Sequence, residues 1–318
     1  MNKKRLITWT AAAVTSLIIA IALPLLTLMP GLAQTAPPTP QYTTTVTSGS
    51  ATANLKVYAA VSLLEVLTDL EKAYNNNGST TPKINFTNSL DSSGILLQNI
   101  NYAPNETAGI PDVFISAATS QMTSLQTAGK LATGWPQNVA KNRLVLIKPN
   151  TPTSPAPTPS NAISAFNTLL NGSGRSGIRG IAIGDPSIVP AGAYAQQVLT
   201  STGTGCGGGT YTTLLNNSAP NKLFFATNVR NVLSAVETKT LSSNVIDAGI
   251  VYSTDKQVST LTTLVATSPS SCLTTPIVYP EAVLTRSTSS TAANSFANFI
   301  RTNSTAQSAL TNRGFLLP

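Results

Sequence analysis

The sequence predicts an α/β fold of mostly parallel sheets flanked by helices, and three observations predict it. From Leu55 onward, short β-branched runs alternate with longer amphipathic stretches, the pattern of strands followed by covering helices. Hydrophobic residues fill 42% of the 318 positions and charged residues only 9%, far below the roughly 25% charge of an average soluble chain, so neither a charge-rich disordered chain nor a coiled coil fits. The length suffices for two ordinary domains or one large one.

Taken in chain order, residues 1–34 carry a basic cluster (Lys3, Lys4, Arg5), an apolar stretch over 6–28, Pro30 and a small-residue segment, which together read as an export signal. The stretch is long enough to span a bilayer, so a cleaved signal peptide and an uncleaved membrane anchor both stay open. Residues 35–53 are rich in Pro, Thr and Ser with almost no large apolar side chains, which predicts a flexible tether and a folded part starting near Asn54. A strand is expected at 56–60. A helix is expected over 63–74, where Leu63, Leu64, Val66, Leu67, Leu70 and Tyr74 recur at helical spacing. Further strands are expected at 83–87, 113–116, 144–148, 180–184, 247–252 and 277–284, and helices at 191–200, 229–238 and 291–311. Residues 151–160 read as a Pro/Thr loop. The Gly-rich 201–209 segment reads as an exposed insertion rather than a phosphate cradle, because no lysine follows it.

Composition excludes several kinds of chemistry. No histidine is present, which removes the commonest general base, the commonest zinc ligand and any Ser-His-Asp arrangement. Cys206 and Cys272 are too few for a Cys-rich metal site; export makes a bridge between them possible, and the sequence leaves it open. The 19 basic and 11 acidic residues give a net charge of +8, or +5 without the three N-terminal ones, and the rest are scattered singly, so no nucleic-acid partner is expected.

Four segments look like helix starts: Ala60-Val61-Ser62, Ser92-Ser93-Gly94, Val189-Pro190-Ala191 and Asn228-Val229. Helix starts present unbonded N–H groups and the positive end of the peptide dipole, so several aimed at one point make an anion site without a cationic side chain. Each taken alone is equally well an ordinary capped helix.

Their order carries a resemblance. KVYAAVSLLEVLTDLEKAY, SSG, PDVFISA, NRLVLIKP, AIGDPSIVPAGAYAQQVL, NVRNVLSAV, DAGIVYSTD and YPEAVL resemble, over roughly 54–318, the periplasmic molybdate-binding proteins of ABC importers. The resemblance implies the two-lobed periplasmic-binding-protein fold with its ligand in the interlobe cleft. It places one lobe at 54–142 and 274–318 and the other at 143–273. It implies a molybdate or tungstate ligand, no cofactor, no catalysis, an ABC permease as membrane partner, a location outside the cytoplasmic membrane and a monomer. Matched motif by motif, the oxyanion donors are Ser62 and Ser93 through hydroxyl and N–H, Ala191 and Val229 through N–H, and Tyr252 through its phenol; Ser92 is the alternate to Ser93. The same residues would serve as the oxyanion's only ligands, with no direct cation ligand among them. Asp185 is expected to hold a turn, and Arg230, beside Val229, to be a solvated first-turn side chain. The other readings are a serine hydrolase with a Ser–Lys pair, for which no lysine lies in a matching motif, a membrane-tethered oxyanion sensor, and a sulfate-binding protein.

Overall fold

Two mixed sheets, each flanked by helices, organise the computed structural model, which describes residues 35–105, 110–153, 164–167, 178–215 and 222–318. The expected export segment and most of the Pro/Thr loop lie outside the described residues. Among the described residues no helix is long and apolar enough to cross a membrane.

The strands are β1 (Tyr42–Val46), β2 (Ala53–Ala60), β3 (Ile84–Asp91), β4 (Val113–Ile115), β5 (Gln137–Lys141), β6 (Leu144–Pro149), β7 (Ile181–Gly184), β8 (Leu223–Ala226), the short hairpin β9 (Thr240–Leu241) and β10 (Asn244–Val245), β11 (Ala248–Tyr252), β12 (Thr262–Thr267) and β13 (Val278–Val283). The helices are α1 (Leu64–Asn76), α2 (Ser93–Asn101), α3 (Thr119–Thr127), α4 (Pro190–Thr200), α5 (Thr210–Leu215), α6 (Val229–Thr238), α7 (Ser253–Val258), α8 (Ser290–Thr302) and α9 (Ser304–Asn312).

The first sheet has the order β1-β3-β2-β4-β13-β5 and the second β12-β6-β11-β7-β8. Both are parallel where strands alternate with helices: β2 with β3 and β4, and β7 with β8 and β11. The mostly parallel expectation is corrected elsewhere, since β13 runs antiparallel to β4 and β5, and β6 antiparallel to β11 and β12. Those strands flank the passages between sheets. The chain leaves the first sheet through Asn142 and Arg143 and returns through 268–277, with no crossover helix of the kind that parallel pairing requires. The buried residues Leu55, Val57, Phe86, Phe114 and Phe296 pack the first sheet; Leu146, Ile147, Ile183, Ile250 and Val232 pack the second.

The tether expected over 35–53 is corrected. Residues 42–46 form edge strand β1, antiparallel to β3 in the register Tyr42↔Leu90 to Val46↔Phe86. The segment YTTTV lacks an apolar run, yet its threonines and valine are β-branched, and it alternates inward and outward with period two. The expected helix over 291–311 is two helices, because Asn303 ends α8 and its side chain accepts the Thr305 N–H at 2.9 Å to cap α9. The bridge that the sequence left open is formed: Cys206 and Cys272 are joined with Cα atoms 5.6 Å apart, tying the Gly-rich loop to the return passage.

Three buried carboxyls, Glu71, Asp255 and Glu281, make stability depend on pH, and burial pushes Glu281 well above its ordinary value. Burial pushes Glu71 of α1 from 4.5 up to about 8, offset only partly by the Asn88 amide that donates to Oε2 at 3.1 Å. Burial likewise pushes Asp255 of α7 from 3.8 up to about 6 against the pull of Arg230. In each case the folded chain holds a proton that the unfolded chain releases, so stability is lost as pH rises, through about 4 to 6 for Asp255 and about 4.5 to 8 for Glu71. The thermal midpoint is expected to fall by several degrees between pH 5 and pH 8, and Glu71→Gln to flatten that fall. Parallel melting curves for the two proteins check this, and an equal slope in both would remove Glu71 as its source.

Candidate functional site

All five residues expected to bind the anion line one small cavity of about 10 Å³ between the sheets, together with Ala60, Val61, Asp91, Ser92, Ala117, Val189 and Pro190. Helix starts bring most of them there. Ser62 sits in the 3-10 turn Val61–Leu63 that leads into α1. Ser93 is the first residue of α2, whose cap is Ser92, with Ser92 Oγ accepting the Ile95 N–H at 3.3 Å. Ala191 is the second residue of α4, which opens on Pro190, and Val229 is the first residue of α6, capped by Asn228 through the Asn231 N–H at 3.0 Å. A helix's first N–H groups have no acceptor within the helix, so α2, α4 and α6 each turn bare donors and a positive dipole end to the cavity. The close approach of Gly184 to Gly192 sets α4 against β7: a Cβ at Gly192 would lie 2.0 Å from the Gly184 carbonyl oxygen.

The side chains complete the donor set. Ser93 Oγ accepts the Ala117 N–H at 3.0 Å, which leaves its own proton for the cavity. Ser62 Oγ and Tyr279 Oη lie 2.8 Å apart. Tyr252 ends β11, is 1% exposed, and its Oη has no hydrogen-bond partner among the described residues. Burial pushes its phenol well above the ordinary tyrosine value, so it stays a neutral donor.

Asp91 is the single charged lining residue. Its carboxylate is spent on protein donors: Ser92 N–H at 2.7 Å, Gln41 N–H at 2.9 Å and Asn228 Nδ2 at 3.1 Å. Three protein donors thus occupy most of the lone-pair sites of that carboxylate. Such a cavity can solvate an anion by hydrogen bonds alone, and no residue in it is placed as a nucleophile with an adjacent base.

The model of the bacterial extracellular solute-binding proteins matches residues 55–316. The chain belongs to this family. It is 31% identical over 216 residues to the molybdate-binding protein ModA of Escherichia coli, covering 68% of this chain and 71% of that one. It is 30% identical over 226 residues to YvgL of Bacillus subtilis, which carries the name of an ABC transporter substrate-binding lipoprotein, covering 71% and 72%. Among solved structures, the periplasmic molybdate-binding protein of Azotobacter vinelandii matches with a TM-score of 0.63 at 20% identity, over 83% of this chain and 99% of that one. The sulfate-binding protein SubI of Mycobacterium tuberculosis matches with a TM-score of 0.62 at 16% identity, over 83% and 86%, a likeness of fold.

This solute-binding protein therefore works outside the cytoplasm as the capture subunit of an ABC transporter; its relatives are binding proteins and not enzymes. Several of its site features had no signal in the sequence. Asp91, which directly precedes Ser92, lines the cavity, whereas two other aspartates hold backbone: Asp112 through Lys56 N–H at 2.8 Å and Asp185 through Ser187 N–H at 2.9 Å, the turn role expected of Asp185. Arg230 is corrected: its guanidinium is largely buried, with Nη1 donating to Glu65 Oε1 at 2.9 Å and Nε paired with Asp255 Oδ1 at 2.8 Å. It joins α1 to α6 and α7 beside the cavity and is not among the lining residues.

Proposed function

We propose that the cavity takes a fully deprotonated tetrahedral oxyanion, molybdate or tungstate, and that the protein delivers it to the permease of an ABC importer. In this reading Ser62, Ser93, Ala191, Val229 and Tyr252 are the ligand residues. The lobes divide at 142–143 and 273–274, with β1 added to the first. The observation that carries the reading is the convergence of those five donors on one cavity whose lining holds no lysine or arginine. Molybdate and tungstate are unprotonated at neutral pH, so donors alone satisfy every oxygen. Phosphate keeps a proton and needs an acceptor. Hydrogen bonds to a charged group contribute roughly 1.5–3 kcal/mol each, enough for several together to replace the ion's water. Sulfate meets the same donor set and is distinguished by radius alone.

Calorimetric titration with molybdate, tungstate, sulfate and phosphate tests the reading. Molybdate and tungstate are expected to bind with sulfate weaker and phosphate weakest, and tight phosphate binding with no molybdate binding would overturn it. Ser62→Ala is expected to weaken molybdate about tenfold, the loss of one charge-assisted hydrogen bond. An unchanged affinity would remove Ser62 from the site.

A further inference from the structure

The direction of the Ser62 hydroxyl is set from the passage between the two sheets. Asn142, 7% exposed, is the first residue after β5 and sits where the chain crosses over. Its side-chain orientation is fixed by a donor that cannot reverse: the Arg143 N–H donates to Oδ1 at 2.8 Å, and Ser253 Oγ donates to the same oxygen at 2.9 Å. The amide nitrogen therefore faces the other way. It donates to Thr254 Oγ1 at 2.9 Å and to Tyr279 Oη at 3.2 Å. Tyr279 is fully buried and has one proton of its own. That proton cannot point at the Asn142 amide, where donor would meet donor, and its remaining partner is Ser62 Oγ at 2.8 Å. The Ser62 oxygen is then the acceptor in that bond, and its own proton is left for the cavity.

We propose that Asn142, acting through Tyr279, is a positioning residue that turns the Ser62 proton toward the bound oxyanion. The proposal rests on the oxyanion reading of the cavity and adds a selectivity device to it. A serine free to turn can accept a proton from hydrogen phosphate as easily as it donates to molybdate. A serine already accepting from Tyr279 offers the ligand a proton. The device also belongs to the assembled cleft, because Asn142 bonds Tyr279 of the first sheet and Thr254 of α7 at the same time. Ring packing holds Tyr279 in place independently of these bonds, edge-on to Tyr252 at 6.0 Å and to Phe315 at 5.3 Å.

The test is a double-mutant comparison by calorimetry at pH 7 with molybdate, and with phosphate by competition. Asn142→Ala is expected to weaken molybdate about five- to tenfold in the unmodified protein and less than twofold when Ser62 is already alanine. Phosphate is expected to lose less than molybdate, so the ratio of the two affinities narrows. Tyr279→Phe keeps the ring contacts and is expected to give the same pattern, which covers the case in which Asn142→Ala folds poorly. An equal loss of molybdate affinity with and without the Ser62 hydroxyl would mean that Asn142 and Tyr279 act only as scaffold, and would overturn the proposal. Failure of the unmodified protein to bind molybdate, tungstate or sulfate would instead overturn the oxyanion reading, and this proposal with it.

Discussion

Gly94→Ala is expected to weaken oxyanion binding by about a hundredfold or more while leaving the fold as stable as before. Gly94 is the second residue of α2, on the first-sheet side of the cavity, and its N–H donates at 3.0 Å to the carbonyl of Ile188, in the turn that leads into α4 of the second sheet. A Cβ there would lie 2.3 Å from the Ile188 oxygen and 2.7 Å from its Cα. Both are backbone atoms, so no side chain can swing aside, and van der Waals contact at about 3.5 Å is regained only if the two walls separate by roughly 1 Å. Ser93 and Ala191 sit beside the contact on opposite walls, and both line the cavity. Hydrogen bonds stretched by that amount are largely lost, and misplacement of about 1 Å in a preorganised site can cost on the order of a hundredfold. The fold is spared because alanine is the better helix residue. Titration beside a melting curve checks both halves: unchanged affinity would show that the walls need not meet at this point, and a collapsed midpoint would show that the strain falls within one lobe.

The parts of this molecule that are legible in the sequence are those set by near neighbours. The apolar spacing from Leu63 to Tyr74 and the β-branched runs around Val57 and Ile183 predict α1, β2 and β7 because periodicity is a local property. The starts of α2 and α6 are legible from Ser92 and Asn228, which cap them. Tyr252 is legible through the family resemblance alone, since a tyrosine ending a strand carries no mark of its own. What stayed hidden depends on pairings that the chain makes at long range. Tyr279 meets Ser62 across 217 residues and Asn142 across 137, and Arg230 meets Glu65 across 165. Strand β1 is illegible for a different reason: a threonine-rich strand on a sheet edge needs little apolar content, so composition suggests a linker while register and side-chain alternation make a strand.

Tyr252→Phe is expected to move stability and binding in opposite directions. In the protein alone, the phenol oxygen is buried with no partner among the described residues, and an unsatisfied buried hydroxyl costs about 1–3 kcal/mol. Phenylalanine keeps the ring and its edge contact with Tyr279 but removes that oxygen, so the thermal midpoint without ligand is expected to stay level or rise. With molybdate the substitution removes a charge-assisted hydrogen bond of roughly 1.5–3 kcal/mol, and affinity is expected to fall by about tenfold to a hundredfold. A residue present only for packing would lower both quantities or neither, so the pair of measurements separates a ligand group from a core tyrosine. Because burial pushes the phenol well above its ordinary value, the group keeps its proton across the neutral range, and this loss is expected to be the same at pH 6 and pH 8. A lower midpoint with unchanged affinity would return Tyr252 to the core and leave the cavity one donor short of what a tetrahedral dianion requires.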